Sequence, residues 1–284
     1  MLFITGSGGM VGNYVKKKIK ELELEAFCPS RVEFDLQNVE KFESLVLEKK
    51  ITHVIHLAAE TDVDLCERNP EHAYIVNSYS TKKISEICSK YGLELVYIST
   101  SNVFGKVAQY SFNELDSPNP MNYYGKSKLR AEEYIKQNTN KHYILRAGWM
   151  IGGGPDLDKK FVGKILKQIS EGKTELKAVA DKFGSLTYAK RLADLIFLVI
   201  NSKKYGTYHV SSETPCSRFD VAKKLSQQNK NKNIKVDPCL SVDFPLSAPR
   251  PSSEAIKSVT IKNNFAEFKT VSWEEALDEY LMEW

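Results

Sequence analysis

Tyr124 and Lys128 stand four residues apart in Tyr124-Gly125-Lys126-Ser127-Lys128. On a helix both side chains lie on one face. There the ammonium lowers the phenol's pKa from its ordinary value near 10, so that the hydroxyl exchanges a proton near neutrality. The spacing alone decides nothing. With 14 Tyr and 33 Lys in 284 residues, chance supplies about one or two such pairs. The chain holds three, at Tyr14/Lys18, Tyr79/Lys83 and Tyr124/Lys128. Tyr14 falls on the helix that follows a glycine-rich loop and reads as packing on a sheet. Tyr79 falls inside a later helix and reads as core, with Lys83 solvated. Only Tyr124/Lys128 follows a strand ending in hydroxyls, Ser99-Thr100-Ser101. Ligands of doubly wound sheets bind outside the carboxyl ends of the strands, which puts Thr100 beside Tyr124 there.

The glycine-rich loop is Thr5-Gly6-Ser7-Gly8-Gly9-Met10-Val11-Gly12. Gly6, Gly9 and Gly12 form G-x-x-G-x-x-G, and Val11 stands where the strict G-x-G-x-x-G pattern has its last glycine. At a strand-to-helix turn, residues without Cβ let backbone N–H groups approach a pyrophosphate at the helix N-terminus. The other reading is a tight turn that binds nothing. The second strand runs out at Cys28-Pro29-Ser30-Arg31, with Glu33 and Asp35 further on. A carboxylate at that strand end would bind the ribose hydroxyls of NAD. Arg31 instead suits the 2′-phosphate of NADP, since guanidinium and phosphate match bidentately. NADP(H) is therefore expected, with NAD(H) possible and an ordinary surface arginine as the alternative.

The elements that must position these residues alternate through the first half. Strands are expected at Leu2–Thr5, Leu24–Cys28, His53–Leu57, Leu93–Ser99 and Tyr143–Ala147. Helices are expected at Met10–Glu21, Val39–Glu48, Ala73–Tyr91 and Tyr124–Gln137. Continuous apolar strands alternating with helices give an α/β fold, a Rossmann-like doubly wound parallel sheet. Gly152-Gly153-Gly154-Pro155 breaks the pattern. A helical stretch at Lys159–Glu171 follows, then shorter elements and a Lys-, Asn-, Pro- and Ser-rich segment at Lys230–Pro251. Residues 1–150 thus read as the dinucleotide-binding domain and 151–284 as a smaller, interleaved α/β substrate lobe. A Leu- and Ile-rich helix at Tyr188–Asn201 returns to the first domain.

Composition narrows the function classes. The chain is 42% hydrophobic and 27% charged, which is globular rather than disordered or fibrous. Its net charge of +4 lacks the concentrated basic stripe of a nucleic-acid binder. Lys16-Lys17-Lys18, the densest basic run, reads as a solvated helix face. Apolar runs such as Leu195–Ile200 fall far short of the ~18 residues of a membrane span. Met1 directly precedes a strand-like run, so no signal peptide is expected. The five cysteines show no C-x-x-C spacing and read as reduced thiols of a cytoplasmic protein.

These motifs lie in an order that resembles the extended short-chain dehydrogenase/reductases, and among them the dTDP-4-dehydrorhamnose reductases. The resemblance covers nearly the whole chain. It rests on the Gly6/Gly9/Gly12 loop, the run His56-Leu57-Ala58-Ala59-Glu60-Thr61-Asp62-Val63-Asp64, Val76-Asn77, and Ile98-Ser99-Thr100 with Val103-Phe104. It continues through Asn122-Tyr123-Tyr124-Gly125-Lys126-Ser127-Lys128, Leu145-Arg146 with Trp149, Asp181-Lys182-Phe183-Gly184 and Arg250-Pro251. The resemblance implies a catalytic trio of Thr100, Tyr124 and Lys128. Tyr124 would protonate a carbonyl oxygen that Thr100 also hydrogen-bonds, and Lys128 would hold the nicotinamide ribose. Gly6, Gly9, Met10, Val11, Ser30, Arg31, Ala58 and Ala59 would line the cofactor, with Asp35 and Leu36 at the adenine. Thr61, Val63 and Trp149 would contact the sugar, Ser101 the edge of its site, and Arg250 the nucleotide diphosphate. Core packing is the alternative for Trp149, and a surface salt bridge for Arg250.

The implied reaction is NADPH-dependent reduction of the 4-keto group of a nucleotide-linked 6-deoxy sugar, dTDP-4-dehydro-L-rhamnose to dTDP-L-rhamnose. A carbonyl gaining hydride develops charge on oxygen, and placed hydroxyls stabilise it without a metal. The chain departs from the family pattern at Ser101-Asn102, which replace an Asp-Tyr pair, and at Leu186, which replaces a proline. The Gly152–Pro155 run lies beside Trp149 in sequence and is expected to reshape the sugar pocket. Asn13 and Lys190 stand where some members place magnesium-binding glutamates, so a metal-bridged dimer is not expected. A dehydratase would require an Asp-Glu pair after Thr100, which Ser101-Asn102 cannot replace. The epimerase-reductase that makes fucose nucleotides would use an added Cys and His near the sugar, and no cysteine lies between Cys88 and Cys216. A sugar-nucleotide epimerase usually has a longer substrate lobe. A non-catalytic subunit like the regulatory subunit of methionine adenosyltransferase would not need the intact trio.

Overall fold

Apolar residues of successive strands alternate between two faces, and each face is buried. The computed structural model of the protein describes residues 1–105, 110–228 and 233–284, so residues 230–232 of the Lys- and Asn-rich segment lie outside the described residues. The first half runs β1 (Leu2–Thr5), α1 (Met10–Glu21), β2 (Ala26–Phe27), α2 (Phe42–Lys49), β3 (His53–His56), α3 (Val63–Arg68) and α4 (Pro70–Ala73). A π-helical segment, Tyr74–Tyr79, then leads into α5 (Ser80–Lys90), β4 (Glu94–Thr100), α6 (Tyr123–Asn138) and β5 (His142–Ala147). The second half holds β6 (Trp149–Ile151), α7 (Gly154–Leu157), α8 (Phe161–Ser170), β7 (Glu175–Val179), β8 (Phe183–Gly184), β9 (Leu186–Tyr188) and α9 (Ala189–Ser202). It ends with β10 (Gly206–Val210), β11 (Cys216–Ser217), α10 (Arg218–Gln228), β12 (Lys235–Cys239), α11 (Thr260–Asn264) and α12 (Trp273–Leu281).

Six strands form one parallel sheet in the order β10-β5-β4-β3-β1-β2. Phe3, Val54, Leu95 and Ile144 project to one face, against Phe42, Ile84 and Ile135. Ile4, Ile55, Val96 and Leu145 project to the other, against Val15, Leu192 and Ile196. This is the Rossmann-like doubly wound arrangement. Chain direction across the sheet reverses between β1 and β3, which opens a crevice above their carboxyl ends. The sequence patterns did not reveal β10, a short strand whose pairing to β5 runs Gly206 to Tyr143 through Val210 to Ala147. Helix α9 packs beside α1, and Lys18 Nζ lies 3.1 Å from Asp194 Oδ1. The rest of the second half forms three two-stranded sheets, β8 with β11, β7 with β12 and β6 with β9. Tyr79 sits on the surface rather than in the core, 53% exposed, with Lys83 Nζ over its ring. Among the described residues no helix is long and apolar enough to cross a membrane.

Candidate active site

A cleft of about 810 Å³ opens above β1, β3 and β4. Its wall gathers Gly6, Gly9, Met10, Val11, Ser30, Arg31, Asp35, Leu36, Ala58, Ala59, Thr61, Thr100, Tyr124 and Lys128. A second concavity of about 530 Å³ lies on the outer face of α6, between Tyr74, Tyr79, Arg130 and Tyr134, away from these residues.

The glycine loop has the shape of an anion cradle. Gly6 adopts φ +68°, and a Cβ there would come within 2.7 Å of the Ala58 nitrogen. A Cβ on Gly12 would come within 2.5 Å of the Gly6 carbonyl oxygen, so neither position accepts a side chain. Gly9 begins α1 in extended backbone with no side-chain cap, and the first turn carries no acidic residue. The first helical N–H groups are thus left for a ligand, at the positive end of the helix dipole. The floor is tied in place from beneath. Thr5 Oγ1 accepts from the Ala58 N–H at 3.1 Å and bonds His56 Nδ1 at 2.7 Å. His56 Nε2 lies 3.1 Å from Thr81 Oγ1. Burial, with Lys128 nearby, pushes His56 down to about 3, so the imidazole is neutral and structural. At the far rim Arg31 is exposed and, among the described residues, has no ion-pair partner. The neighbouring Glu33 accepts from the Ser30 N–H at 2.7 Å. Asp35 accepts from the Gln37 N–H at 3.0 Å, and Leu36 packs on the core behind.

Thr100 ends β4, and Tyr124 lies in the first turn of α6. Asn122 starts that helix, accepting from the Gly125 N–H at 2.8 Å while its amide donates to the Pro249 carbonyl at 3.1 Å. The Tyr124 side chain faces Thr100, whose hydroxyl favours the ionised phenol. One turn on, Lys128 is 2% exposed, its ammonium 4.0 Å from the centre of the Tyr97 ring. The lowered phenol pKa expected from the sequence is not what the fold produces. Burial pushes Tyr124 up to about 12, against the opposing influence of Thr100. Burial also pulls Lys128 down to about 7, although Glu132 counteracts it. A lysine that is half neutral at pH 7 cannot depress its neighbour as a full cation would. The result is a phenol that keeps its proton, which is the state of an acid waiting to donate.

Lys128 gives a pH test. The unfolded chain takes up this proton near 10.5 and the folded chain near 7. The buried lysine therefore opposes folding in full below pH 7, and the opposition fades as pH rises toward 10. Lys128→Met is expected to be at least as stable as the parent at pH 7 and to gain less stability between pH 7 and 9. Denaturant midpoints across that range check it, and parallel profiles would reject the assignment.

Asn77, to which the sequence reading gave no role, ties the loop at Glu60 to α6. Its Oδ1 accepts from the Glu60 N–H at 2.9 Å, and its Nδ2 donates to the Glu60 carbonyl and to Ser127 Oγ, both at 3.1 Å. Beyond it Thr61 is exposed on the cleft and Val63 opens α3. Val63, Ser101, Trp149 and Arg250 are not on the cleft wall itself. Arg250 Nη2 reaches Asp64 Oδ2 at 3.0 Å and joins α3 to the second half of the chain. Glu254, which no motif marked, gathers Trp149 and Ser101. It accepts from the Trp149 indole N–H at 2.8 Å and from Ser101 Oγ at 3.0 Å, and also from the Asn102 amide. Glu254 lies 153 residues from Ser101, so only tertiary structure pairs them. The sequence signal was a lone carboxylate among the small and apolar residues after Arg250-Pro251. The Gly152–Pro155 run turns away from Trp149. The Gly153 N–H donates to the Tyr14 hydroxyl at 2.8 Å, and Gly152 packs on Tyr14 and Ala189. The run packs against α1 and α9, and none of its four residues lines the cleft.

Known proteins share this fold. The structure superposes on dTDP-4-dehydrorhamnose reductase from Yersinia enterocolitica with TM-score 0.95, at 43% identity over 99% of this chain and 98% of that one. It superposes on dTDP-4-dehydrorhamnose reductase from Bacillus anthracis in complex with NADP with TM-score 0.92, at 31% identity over 100% and 99% of the two chains. The spore coat polysaccharide biosynthesis protein SpsK of Bacillus subtilis is 29% identical over 99% of this chain and 97% of its own length. The family model described as the RmlD substrate binding domain matches residues 1–284, from the glycine loop through the hydroxyl-ended strand to Glu254 and beyond, and the chain belongs to that family.

Proposed function

We propose that this chain is an NADPH-dependent reductase that converts dTDP-4-dehydro-L-rhamnose to dTDP-L-rhamnose. The observation that carries the reading is the meeting of Thr100, Tyr124 and Lys128 in one cleft with an uncapped helix N-terminus and its glycine cradle. Similarity of the whole chain to reductases of that name supports it. Residues 1–150 hold the dinucleotide and 151–284 the sugar nucleotide, with α9 returned to the first unit. The place of action is the cytoplasm, and Asn13 and Lys190, which are not carboxylates, argue against a metal-bridged dimer.

The residues present fit the dinucleotide. The α1 N-terminus and the Gly6–Gly12 cradle take the diphosphate, Arg31 the 2′-phosphate, Asp35 and Leu36 the adenine, Ala58 and Ala59 the diphosphate and ribose side, and Lys128 the nicotinamide ribose. Bound NADPH supplies hydride. Tyr124 donates its proton to the ketone oxygen as negative charge develops there, and Thr100 holds the same oxygen by a second hydrogen bond. Because an alkoxide is a far stronger base than a phenolate, a Tyr124 pushed up to about 12 still transfers its proton downhill. Thr61, Val63 and Trp149 contact the sugar, Ser101 borders its site, and Arg250 takes the nucleotide diphosphate.

The test is loss of NADPH absorbance with dTDP-4-dehydro-L-rhamnose generated in situ, run beside NADH. Sugar-dependent oxidation of NADPH is expected, and tight cofactor binding without oxidation would overturn the reading. In the same assay Arg31→Ala is expected to weaken NADPH by roughly three- to tenfold, an exposed phosphate contact being partly screened. NADH should be unaffected, and equal losses for both would remove Arg31 from the 2′-phosphate.

A further inference from the structure

The chain has seven arginines, and five of them end on acceptors within the protein. Arg68 donates to Ser247, Arg130 to Glu133, Arg146 to Glu132, Arg191 to Glu279 and Arg250 to Asp64. Arg31 and Arg218 do not: among the described residues neither makes a side-chain hydrogen bond or has a carboxylate within 4 Å. Arg31 is a free surface arginine, which is ordinary. Arg218 is half-buried, and a half-buried guanidinium with no acceptor is costly unless something else satisfies it.

Its position is nevertheless fixed. Arg218 opens α10, with its guanidinium carbon 4.8 Å from the Trp149 ring centre and 5.0 Å from that of Phe161. The two aromatic faces orient the planar group by cation–π attraction and leave its N–H edge unspent. Glu254 attracts it from beyond ion-pair range but is already committed to Trp149, Ser101 and Asn102. Arg250 and Lys160, which lines the cleft, are both close enough to repel it. Three cations thus gather beside the cleft: Arg250 is paired with Asp64 and Lys160 is attracted by Asp158, while Arg218 has only the engaged Glu254. Such a cluster is stable in the presence of an anion with several oxygens.

We propose that Arg218, held between Trp149 and Phe161, is a second guanidinium for the diphosphate of the nucleotide sugar, acting beside Arg250. This rests on the substrate class proposed above. Two forked donors suit a diphosphate, which presents oxygens on two phosphorus atoms, and the Trp149 ring links the diphosphate end to the sugar end.

Calorimetric titration of dTDP into the NADP-saturated protein tests it, with Arg218→Gln and Arg218→Lys compared to the parent and each variant's fold checked by thermal melting. Arg218→Gln is expected to weaken dTDP about tenfold or more, as loss of a charge-assisted phosphate contact does. It should also flatten the salt dependence of dTDP binding, which a packing role would not alter. NADP affinity should stay within about twofold, and Arg218→Lys should fall between the two. If Arg218→Gln does not fold, Arg218→Lys decides alone. Parental dTDP affinity in the variant that folds, with a parental salt slope as well if that variant is Arg218→Gln, would overturn the proposal while leaving the reductase reading intact. A parent protein that neither binds dTDP nor oxidises NADPH with the sugar would overturn both.

Discussion

Tyr124→Phe is expected to lose about two to four orders of magnitude in turnover, the usual contribution of a positioned acid, while NADPH binding stays within about twofold. The loss corresponds to roughly 3–5 kcal/mol of barrier. The substitution removes one oxygen. The ring still fills its place at the start of α6, and the cap at Asn122 that sets the helix is untouched. Thr100 keeps its own hydroxyl and its contact to the Asn102 N–H at 3.2 Å, so one of two oxygen-directed donors survives. What disappears is the proton itself. Steady-state rates beside cofactor titration check this, and near-parental turnover in the phenylalanine variant would take Tyr124 out of the reaction. The high phenol pKa adds a second expectation. Because burial pushes the phenol up to about 12, the midpoint for ionising Tyr124 in the protein without ligands should lie well above that of an ordinary tyrosine.

The largest effect on folding should come from Glu132→Leu. Glu132 on α6 and Arg146 on β5 are 0% and 2% exposed, joined through Nε at 2.9 Å and Nη2 at 2.6 Å. Ser99 Oγ, one residue before Thr100, donates to the same carboxylate at 2.5 Å. Burial alone would raise this carboxyl, and the Arg146 guanidinium overrides it and holds it below the ordinary range. The bridge therefore pins the Tyr124 helix to the two strands whose ends form the floor of the site. Removing only the carboxylate leaves Arg146 charged in the interior, at a cost of about 3–5 kcal/mol. For a chain this size that lowers the melting temperature by on the order of 10 °C. The pairing of Glu132→Leu with Arg146→Met is expected to recover more than half of the loss, since a matched apolar pair needs no compensating charge. Denaturant unfolding of the two single variants and the double variant measures it. A loss under about 1 kcal/mol in Glu132→Leu would show that the pair does not hold the helix.

Much of this was legible before any coordinates. Strand β1 and helix α1 have the bounds their apolar spacing predicts, because both are set by local pattern and by glycines at the turn. Thr100, Tyr124 and Lys128 could be chosen from among three equivalent spacings because the position of a strand end is itself a sequence property. The second half was less legible. Strand β10 and the paired strands around it are two to five residues long, and their partners lie far away in the chain, so no local period marks them.

The sequence by itself determined the α/β class, the glycine turn and the residues that reach one cleft, since hydrophobic period and helix geometry act over a few residues. Tertiary structure alone decided the protonation of Tyr124 and Lys128, because burial depends on what the rest of the chain lays over them. It also decided the link of Glu254 to Ser101 and Trp149, the packing of Gly152–Pro155 against Tyr14 and Ala189, and the stacking of Arg218 between two rings. Each of these joins residues brought together only when the second half closes on the sheet, where desolvation and charge act through space and sequence distance carries no information about them.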